Sequence, residues 1–236
     1  MTDCPADVLS GLRRIPGFRG APEAVLRRLA AAARVFHLGR HDTLFQRGDP
    51  CEGLLVLLQG QAKVYARADR GHEKVIEVVS APDCLGESTL IGEACHHVNA
   101  AMLSEGQVAL LPQAALMREV GESPVLAMRL LADVTERLNR RVHDIEAVTL
   151  HTAAQRVVAY LLNDGAPQRE SQAPVQAVGG PCTVSLPASK GTIASLLSVT
   201  PEHFSRILHD LQSRGLIAVH RREIHIPDVQ RLACHA

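Results

Sequence analysis

The feature that most constrains the fold is a close succession of helix and strand signals near the carboxyl end of the chain. Ser189 is a favoured N-cap residue for a helix over 190–197. After a short turn, Thr200 is a good N-cap for a second helix, and Pro201 suits the first helical position. Gly215 is typical of the residue that ends a helix. The spacing therefore predicts two helices joined by a tight turn.

The apolar residues of this stretch recur at helical spacing and predict the buried face of each helix. They are Ile193, Ala194 and Leu197 in the first helix, and Phe204, Ile207, Leu208 and Leu211 in the second, which is predicted to run to about Arg214. Two short apolar runs follow, over 216–219 and 224–226, with a turn at Arg221-Arg222 between them. Helix, turn, helix and β-hairpin in this order predict a winged helix-turn-helix.

In such a motif the second helix lies in the major groove of DNA with its first residues at the base edges. Those residues are Pro201, Glu202, Ser205 and Arg206. Arginine can donate two hydrogen bonds to guanine, glutamate can accept one from cytosine, and serine can bond to either base. Glu202 and Arg206 are four residues apart, so they share a helix face and can support each other. The candidates for phosphate contacts are Lys190, Arg221 and Arg222. The alternative is a small α/β unit with a surface ion pair.

A long helix is predicted between residues 123 and 150, where the chain has no glycine and only Pro124, which fits a first helical turn. Six side chains recur there with the spacing 4-3-4-3-4, namely Leu131, Thr135, Leu138, Val142, Ile145 and Thr149. This is the a/d spacing of a coiled-coil seam. A second copy of the same helix is the simplest partner, so the pattern predicts a homodimer. The alternative is an amphipathic helix that packs on its own domain.

The chain before residue 112 has a different pattern, in which glycine and proline separate short apolar runs. The runs are 54–58, 62–65, 75–79 and 108–111, and a helix from Pro22 to Ala33 is predicted before them. Short strands with regular turns indicate a barrel or sandwich. The chain is therefore predicted to be an α+β protein with a β-rich domain over 1–118, a dimerisation helix over 119–150 and a DNA-binding domain over 151–236. Residues 163–182, rich in Gly, Pro, Gln and Ser, are predicted to form a flexible surface loop.

Composition excludes several classes of protein. In 236 residues, 25 Lys and Arg balance 25 Asp and Glu, which excludes a highly basic coat protein but allows a local basic face. No run of about 18 apolar residues predicts a membrane span, and the amino terminus lacks the pattern of a secretion signal. We therefore expect a cytoplasmic protein without a membrane partner. The motifs of P-loop, Rossmann, zinc-protease and serine-hydrolase enzymes are missing from the sequence, so no enzymatic activity is expected.

Several motifs together resemble the Crp/Fnr superfamily of bacterial transcription regulators. Residues 44–50 (LFQRGDP) and 56–65 (VLLQGQAKVY) resemble its cyclic-nucleotide-type β-roll, and Gly86-Glu87 resembles the Gly-Glu of its effector pocket. Residues 201–206 (PEHFSR) resemble the E-x-x-S-R recognition motif of the Fnr branch. The Dnr group, whose members respond to nitric oxide, is similar in the stretches 73–78, 156–162 and 201–208.

The resemblance implies that the domain over 1–118 is a sensor domain with an effector-binding β-roll. It also implies a DNA-binding homodimer that has RNA polymerase as a partner and reads an inverted repeat of half-sites like TTGAT. Arg206 would contact the guanine, and Glu202 the cytosine of the facing strand. In the members that bind cyclic AMP, an arginine followed by serine or threonine holds the cyclic phosphate, because the arginine fork matches phosphate oxygens. Here His97 and Val98 occupy those positions of the effector pocket, so cyclic AMP is not expected to bind.

The same resemblance narrows the choice of cofactor. The iron–sulfur cluster of oxygen-sensing Fnr proteins needs four thiolates, and the amino terminus offers only Cys4. Heme, responding to nitric oxide or another diatomic gas, is the remaining candidate, with His96 and His97 as candidate iron ligands unless both are ordinary surface histidines. Adjacent strand residues point to opposite faces, so at most one of the two would face a pocket.

Two alternatives stay open for the signal and the function. The same fold could respond to another small effector, or to redox change at its cysteines, for which the candidates are Cys51, Cys84 and Cys95. The second alternative is a sensor or binding module without DNA activity.

Overall fold

The computed structural model describes residues 5–68, 71–87, 95–163 and 180–235. The contacts between residues divide the chain into two compact units, 1–141 and 142–236. Among the helices of the described ranges, none combines the length and the apolar character needed to cross a bilayer.

The first unit begins with two helices, α1 over Pro5–Arg14 and α2 over Glu23–Ala32, with a 3₁₀ turn at Pro16–Phe18 between them. The position of α2 confirms the helix predicted from Pro22 to Ala33, whereas α1 is not predicted from the sequence. Their apolar faces share a buried cluster with side chains of the neighbouring sheet, including Val8, Leu12, Phe18, Leu26, Leu29, Leu54, Val56 and Leu111.

Eight strands are present in the described part of this unit, and all their pairings are antiparallel. One sheet has the order β1-β8-β3-β6, with β1 at Arg34–Leu38, β8 at Gly106–Pro112, β3 at Gly53–Gln59 and β6 at Asp83–Leu85. The other has the order β2-β7-β4-β5, with β2 at Thr43–Phe45, β7 at Asn99–Met102, β4 at Gln61–Arg67 and β5 at Glu73–Ser80. A second apolar cluster includes Phe45, Leu57, Leu85, Met102 and Val108. The expected β-roll is confirmed.

Four of these strands, β3, β4, β5 and β8, contain the predicted apolar runs. The other four are not predicted, for two physical reasons. The strands β2, β6 and β7 have three or four residues each, which is too short to show an alternation of apolar and polar positions. The residues of β1 are exposed or only half-buried, so its apolar pattern is weak.

The region predicted to form the long helix contains the end of one helix, α3 over Gln113–Glu122, and a second helix, α4 over Pro124–Leu150. The Ser123 hydroxyl between them accepts a hydrogen bond from the Leu126 amide at 3.3 Å, which caps α4. The boundary expected between 118 and 119 therefore falls inside α3, and the long helix begins at Pro124. With 27 residues, α4 is about 40 Å long. The division of the chain into three functional parts stays a prediction.

The second unit confirms the winged helix-turn-helix and adds elements around it. Its helices are α5 (Ala153–Asn163), α6 (Lys190–Leu196), α7 (Pro201–Ser213) and α8 (Val229–Ala233). Its strands are β9 (Cys182–Ser185), β10 (Ala218–His220) and β11 (Glu223–Ile226), in the order β10-β11-β9. The short elements β9 and α8 are not predicted. Most of the loop predicted over 163–182 lies outside the described residues.

Candidate DNA-binding surface and sensor site

The start of α7 is fixed by its cap. The Thr200 hydroxyl accepts a hydrogen bond from the His203 amide at 3.2 Å, and Pro201 occupies the first turn. Ser189 caps α6 in the same way, because its hydroxyl accepts from the Thr192 amide at 3.1 Å. Both caps agree with the sequence, and Gly215 has the positive φ of 67° expected after the end of α7.

Burial of one face of α7 determines which residues its other face presents. Phe204, Ile207, Leu208 and Leu211 are buried as predicted. Burying a side chain of this size contributes about 1.5–3 kcal/mol, so this face is strongly fixed. The four expected base-contacting residues, Pro201, Glu202, Ser205 and Arg206, are all exposed. The helix therefore presents them to solvent together.

One contact that helical spacing allows on this face is not formed. No ion pair joins Glu202 and Arg206 in the part of the chain that the structure describes, although they are four residues apart. Attraction between exposed charges is weak, so helical spacing alone does not bring such side chains together. His209 is exposed and lies three residues after Arg206, on the same face. Extending the spacing of Glu202 and Arg206 by one helical turn would have identified His209 from the sequence as a further residue of this exposed face.

The wing adds two cationic side chains. Arg221 and Arg222 are exposed in the turn between β10 and β11, and Arg221 has a positive φ of 56°. Neither takes part in an ion pair among the described residues. The Arg222 carbonyl accepts a hydrogen bond from the Leu186 amide at 2.8 Å, which ties the wing to the segment before α6. Lys190, the third candidate for a phosphate contact, is half-buried at the first position of α6.

The seam of α4 is exposed along its whole length. All six seam residues are exposed, and two of them, Leu138 and Ile145, expose 61% and 68% of their surface. The helix buries other residues instead, such as Leu126 and Asp133. A contiguous row of large exposed apolar side chains is typical of a contact surface.

In the first unit (residues 1–141), called the sensor unit below after its expected role, Gly86 and Glu87 follow β6. Gly86 has a φ of 82°, and a Cβ at this position would lie 3.3 Å from the His96 ring, so glycine allows a close approach. The Glu87 Oε1 atom is buried and lies 3.2 Å from the Arg137 Nη1 atom. The two are not aligned for a hydrogen bond, and this oxygen has no hydrogen-bond partner among the described residues. Burial raises the pKa of Glu87.

Arg137 connects α4 with the strands of the sensor. Its guanidinium pairs with Asp83 on β6 and with Asp133 on α4, the latter at 3.2 Å. One turn further along, Arg141 pairs with Glu77 on β5 at 2.5 Å. Burial by itself would lower the pKa of Arg137, but the surrounding carboxylates raise it overall, so the side chain stays charged. This network is not predictable from the sequence, because its partners are distant in the chain and charged helix residues usually face solvent.

His96 is enclosed beside Gly86. It exposes 7% of its surface, and its ring stacks on the Phe45 ring with 3.7 Å between the ring centres. Its backbone is held by two hydrogen bonds, from the His96 amide to the Asp49 carbonyl at 2.9 Å and from the Gly48 amide to the His96 carbonyl at 2.8 Å. Burial lowers the pKa of His96, so the ring is neutral near neutral pH. Its nitrogens have no hydrogen-bond partner within the described ranges.

His97 and Val98, the residues expected in the effector pocket, differ in their surroundings, and their place in such a pocket stays a prediction. His97 is exposed, and Val98 is half-buried against the apolar cluster of the two sheets. The expected alternation of a strand does not apply, because this segment has only a single bridge, between Cys95 and Pro50, before β7 begins at Asn99. Of the two candidate heme ligands, His96 is therefore the enclosed one.

The three candidate redox cysteines have different surroundings. Cys84 is buried, and burial raises the pKa of its thiol well above the ordinary value. Because the thiolate is the reactive form, Cys84 is a poor redox switch. Cys51 is half-buried and Cys95 is exposed, so these two remain candidates.

Two known domain families match the chain over the units just described. The cyclic nucleotide-binding domain matches residues 35–123, and the Crp-like helix-turn-helix domain matches residues 155–234. These matches define the class of protein: a β-roll of the cyclic nucleotide-binding type combined with a Crp-like DNA-binding helix-turn-helix domain. The chain belongs to the Crp/Fnr family of DNA-binding transcription regulators, which are not enzymes.

Individual relatives agree with this assignment. The chain is 24% identical over 225 residues to the CRP-like cAMP-activated global transcriptional regulator of Mycobacterium tuberculosis, covering 95% of this chain and 98% of the relative. It is 26% identical over 194 residues to the Fumarate and nitrate reduction regulatory protein of Salmonella typhi, covering 82% and 75%. The crystal structure of DNR from Pseudomonas aeruginosa is 29% identical and superimposes with a TM-score of 0.50, covering 96% of both chains.

Proposed function

We propose that this regulator is a homodimer that reads an inverted repeat of half-sites like TTGAT. The observation that carries the proposal is the exposed face of α7, where Glu202, Ser205 and Arg206 lie together behind a well-capped helix start. A partner copy would cover the exposed seam of α4. Two recognition helices would then enter successive major grooves, with half-sites about one helical turn apart.

Each residue of the surface has a chemical role in this proposal. The Arg206 guanidinium donates two hydrogen bonds to the guanine, and the Glu202 carboxylate accepts one from the cytosine of the facing strand. Lys190, Arg221 and Arg222 neutralise phosphates, which adds affinity without sequence preference. RNA polymerase as a partner and a cytoplasmic location are proposed from the family likeness alone.

Selection of bound duplexes from a randomised library tests the reading of bases. The wild type should select an inverted repeat, and Arg206→Ala should cost about 1–3 kcal/mol per half-site and lose the preference for guanine. Arg40→Ala, which removes an exposed charge in the sensor unit, is the matched control. An Arg206→Ala variant with unchanged sequence preference would contradict the assignment. Binding of no sequence in any ligand state would favour a sensor module without DNA activity.

For the signal, we propose a heme that responds to nitric oxide or another diatomic gas, with His96 as the iron ligand. The supporting observations are the neutral, enclosed His96 ring, its nitrogens without a described partner and the apolar wall given by Phe45. These residues fit a heme, which needs an apolar slot and a neutral nitrogen ligand. Bound heme supplies an iron atom that a diatomic gas can ligate. The similarity to DNR adds support.

The residues of the chain suggest how the signal would reach the long helix. His96 and Gly86 are neighbours, and Glu87 leads directly to Arg137 on α4. A change in the position of His96 would move Gly86 and alter how Glu87 and Asp83 share the Arg137 guanidinium. Such a change acts only through a difference in ligand affinity between two states of the sensor.

Titration of the purified protein with hemin, followed by absorbance, tests the site without a DNA assay. His96→Ala should abolish a defined 1:1 Soret band, and His97→Ala should retain it. Operator affinity should then differ between the apo, hemin-loaded and nitric-oxide-treated protein. Equal affinities in all three states would favour redox chemistry at Cys51 or Cys95, or another effector.

A response to cyclic AMP is not proposed, because neither the exposed His97 nor the apolar Val98 supplies the guanidinium fork that a cyclic phosphate needs. Calorimetry tests this point, and micromolar binding of cyclic AMP would overturn it. An iron–sulfur cluster is not proposed either.

A further inference from the structure

One guanidinium in the DNA-binding unit bonds to three backbone carbonyl oxygens. Arg156, near the start of α5, donates from Nε to the Leu197 oxygen at 2.9 Å and from Nη1 to the His151 oxygen at 2.7 Å. Its Nη2 atom donates to the Ser198 oxygen at 3.4 Å. All four residues belong to the second unit.

The three carbonyls lie at the carboxyl ends of two helices. His151 directly follows α4, and Leu197 and Ser198 directly follow α6. The carboxyl end of a helix leaves carbonyl groups without helical partners and carries a partial negative charge, which a cation stabilises. Arg156 therefore joins the end of the long helix to the turn of the helix-turn-helix. The planar fork of arginine allows one side chain to serve several acceptors.

The turn that Arg156 contacts has an unusual backbone. Ser198 has a φ of 57°, in the left-handed region that favours glycine. The Ser198 amide donates to the Ser195 carbonyl at 3.1 Å, and the Val199 amide donates to the Ala194 carbonyl at 3.0 Å, which is the Schellman pattern of a helix end. Thr200, the cap of α7, follows at once. A displacement of this turn would therefore displace the start of the recognition helix.

We propose that Arg156 is a positioning residue that fixes the start of α7 relative to the last turns of α4, and so determines which half-site spacing the dimer accepts. Ile145 and Thr149 of the seam lie on these last turns. The position of α7 relative to them sets the distance between two recognition helices in a dimer joined through this seam. The inference rests on the proposed dimeric reading of DNA.

The experiment measures affinity for duplexes that carry the selected half-sites with the central spacer changed one base pair at a time. The wild type and the control Arg40→Ala should prefer one spacing. Arg156→Ala should bind the preferred duplex about tenfold more weakly, as expected for lost charge-assisted hydrogen bonds, and should discriminate little between spacings. It should keep the preference for guanine within each half-site, because Arg206 is untouched.

Arg156→Lys keeps the positive charge at the two helix ends but lacks the planar donor fork of arginine. It also serves as the test variant if Arg156→Ala does not fold. It should recover part of the affinity but not the spacing preference. An equal loss of affinity at every spacing, or full recovery with lysine, would overturn the assignment. Failure of the wild type to bind any inverted repeat would contradict the proposed function instead.

Discussion

The DNA-binding surface and the sensor site place their functional groups in opposite environments. On α7, Glu202 and Arg206 are exposed and not paired with each other, and all the expected base contacts come from one helix. In the sensor, Glu87, His96 and Arg137 are enclosed and come from three separate segments of the chain. The first region presents a fixed pattern of donors and acceptors, whereas the second can change only by rearranging contacts inside the protein.

This difference determines how each region responds to change. An exposed side chain on α7 can be replaced at little cost to folding, so its loss should affect mainly the bonds with DNA that we propose for it. A buried ionic group in the sensor is balanced by its neighbours, and removing one partner leaves an uncompensated charge. If the protein switches between two states as proposed, the enclosed groups of the sensor are therefore where a ligand, a proton or a mutation should act.

The largest effect is expected at the α4 seam, whose residues are exposed in a single copy and would be enclosed in the proposed dimer. Leu138→Glu places a charge in an apolar contact between copies, so the dimer should dissociate and operator affinity should fall about a hundredfold or more as two linked half-sites become independent. Analytical ultracentrifugation measures the first result and electrophoretic mobility shift the second.

Asn139→Glu is the matched control, since Asn139 is exposed on the same helix one residue outside the seam. It should remain dimeric and bind the operator. A dimeric Leu138→Glu variant would show that the copies associate through another surface.

A buried residue of α7 should produce the next largest effect. Phe204 is fully buried, and Phe204→Ala should destabilise the second unit by about 3–5 kcal/mol. Denaturant unfolding followed by circular dichroism measures the change. His203→Ala, at the exposed neighbouring position, should change stability by less than about 0.5 kcal/mol. Similar losses in both variants would mean that α7 is not oriented as described.

The two regions also differ in how far the sequence predicts them. The caps at Ser189 and Thr200 are local signals, and the buried residues of α7 recur at three- and four-residue intervals. Local sequence and helix geometry therefore locate both. The pairing of Arg137 with Asp83 joins residues 54 positions apart, and it depends on how β6 packs against α4. No local spacing encodes such a contact.

The segment at His96 and His97 illustrates the same limit. The sequence does not determine which of the two is enclosed, because this short segment does not form a strand whose alternation could decide between them. The answer depends on the single bridge between Cys95 and Pro50 and on the backbone hydrogen bonds with Gly48 and Asp49. These bonds form between segments almost 50 residues apart, so they are visible only in the folded chain.

A smaller effect is expected from the cap of the recognition helix. Thr200→Ala removes the acceptor for the His203 amide and should cost about 1 kcal/mol of stability. Thr200→Ser retains the hydroxyl and should stay within about 0.5 kcal/mol of the wild type. Thermal unfolding of the three proteins measures the difference. Equal stability of the alanine and serine variants would mean that the local signal at Thr200 does not define the start of α7.

The smallest effect is expected from protonation of a single sensor residue, His96. Burial lowers the pKa of His96 below its ordinary value of 6.5, so the folded protein favours the neutral ring. The resulting stability is present above pH 6.5 and is lost as the pH falls through the lower pKa of the folded state. Heme-free wild-type protein should therefore lose stability between about pH 7 and pH 5, measured by thermal unfolding.

Substitution of the His96 ring distinguishes the effect of its protonation on stability from the effect of its stacking on Phe45. His96→Phe can keep an aromatic ring against Phe45 but cannot bind a proton, so its stability should depend less on pH over the same interval. His97→Phe alters an exposed ring and should follow the wild type. Identical pH dependence in all three proteins would mean that His96 is not enclosed. It would also remove the main reason to assign His96 as the heme ligand, because an iron ligand requires the neutral nitrogen that burial favours.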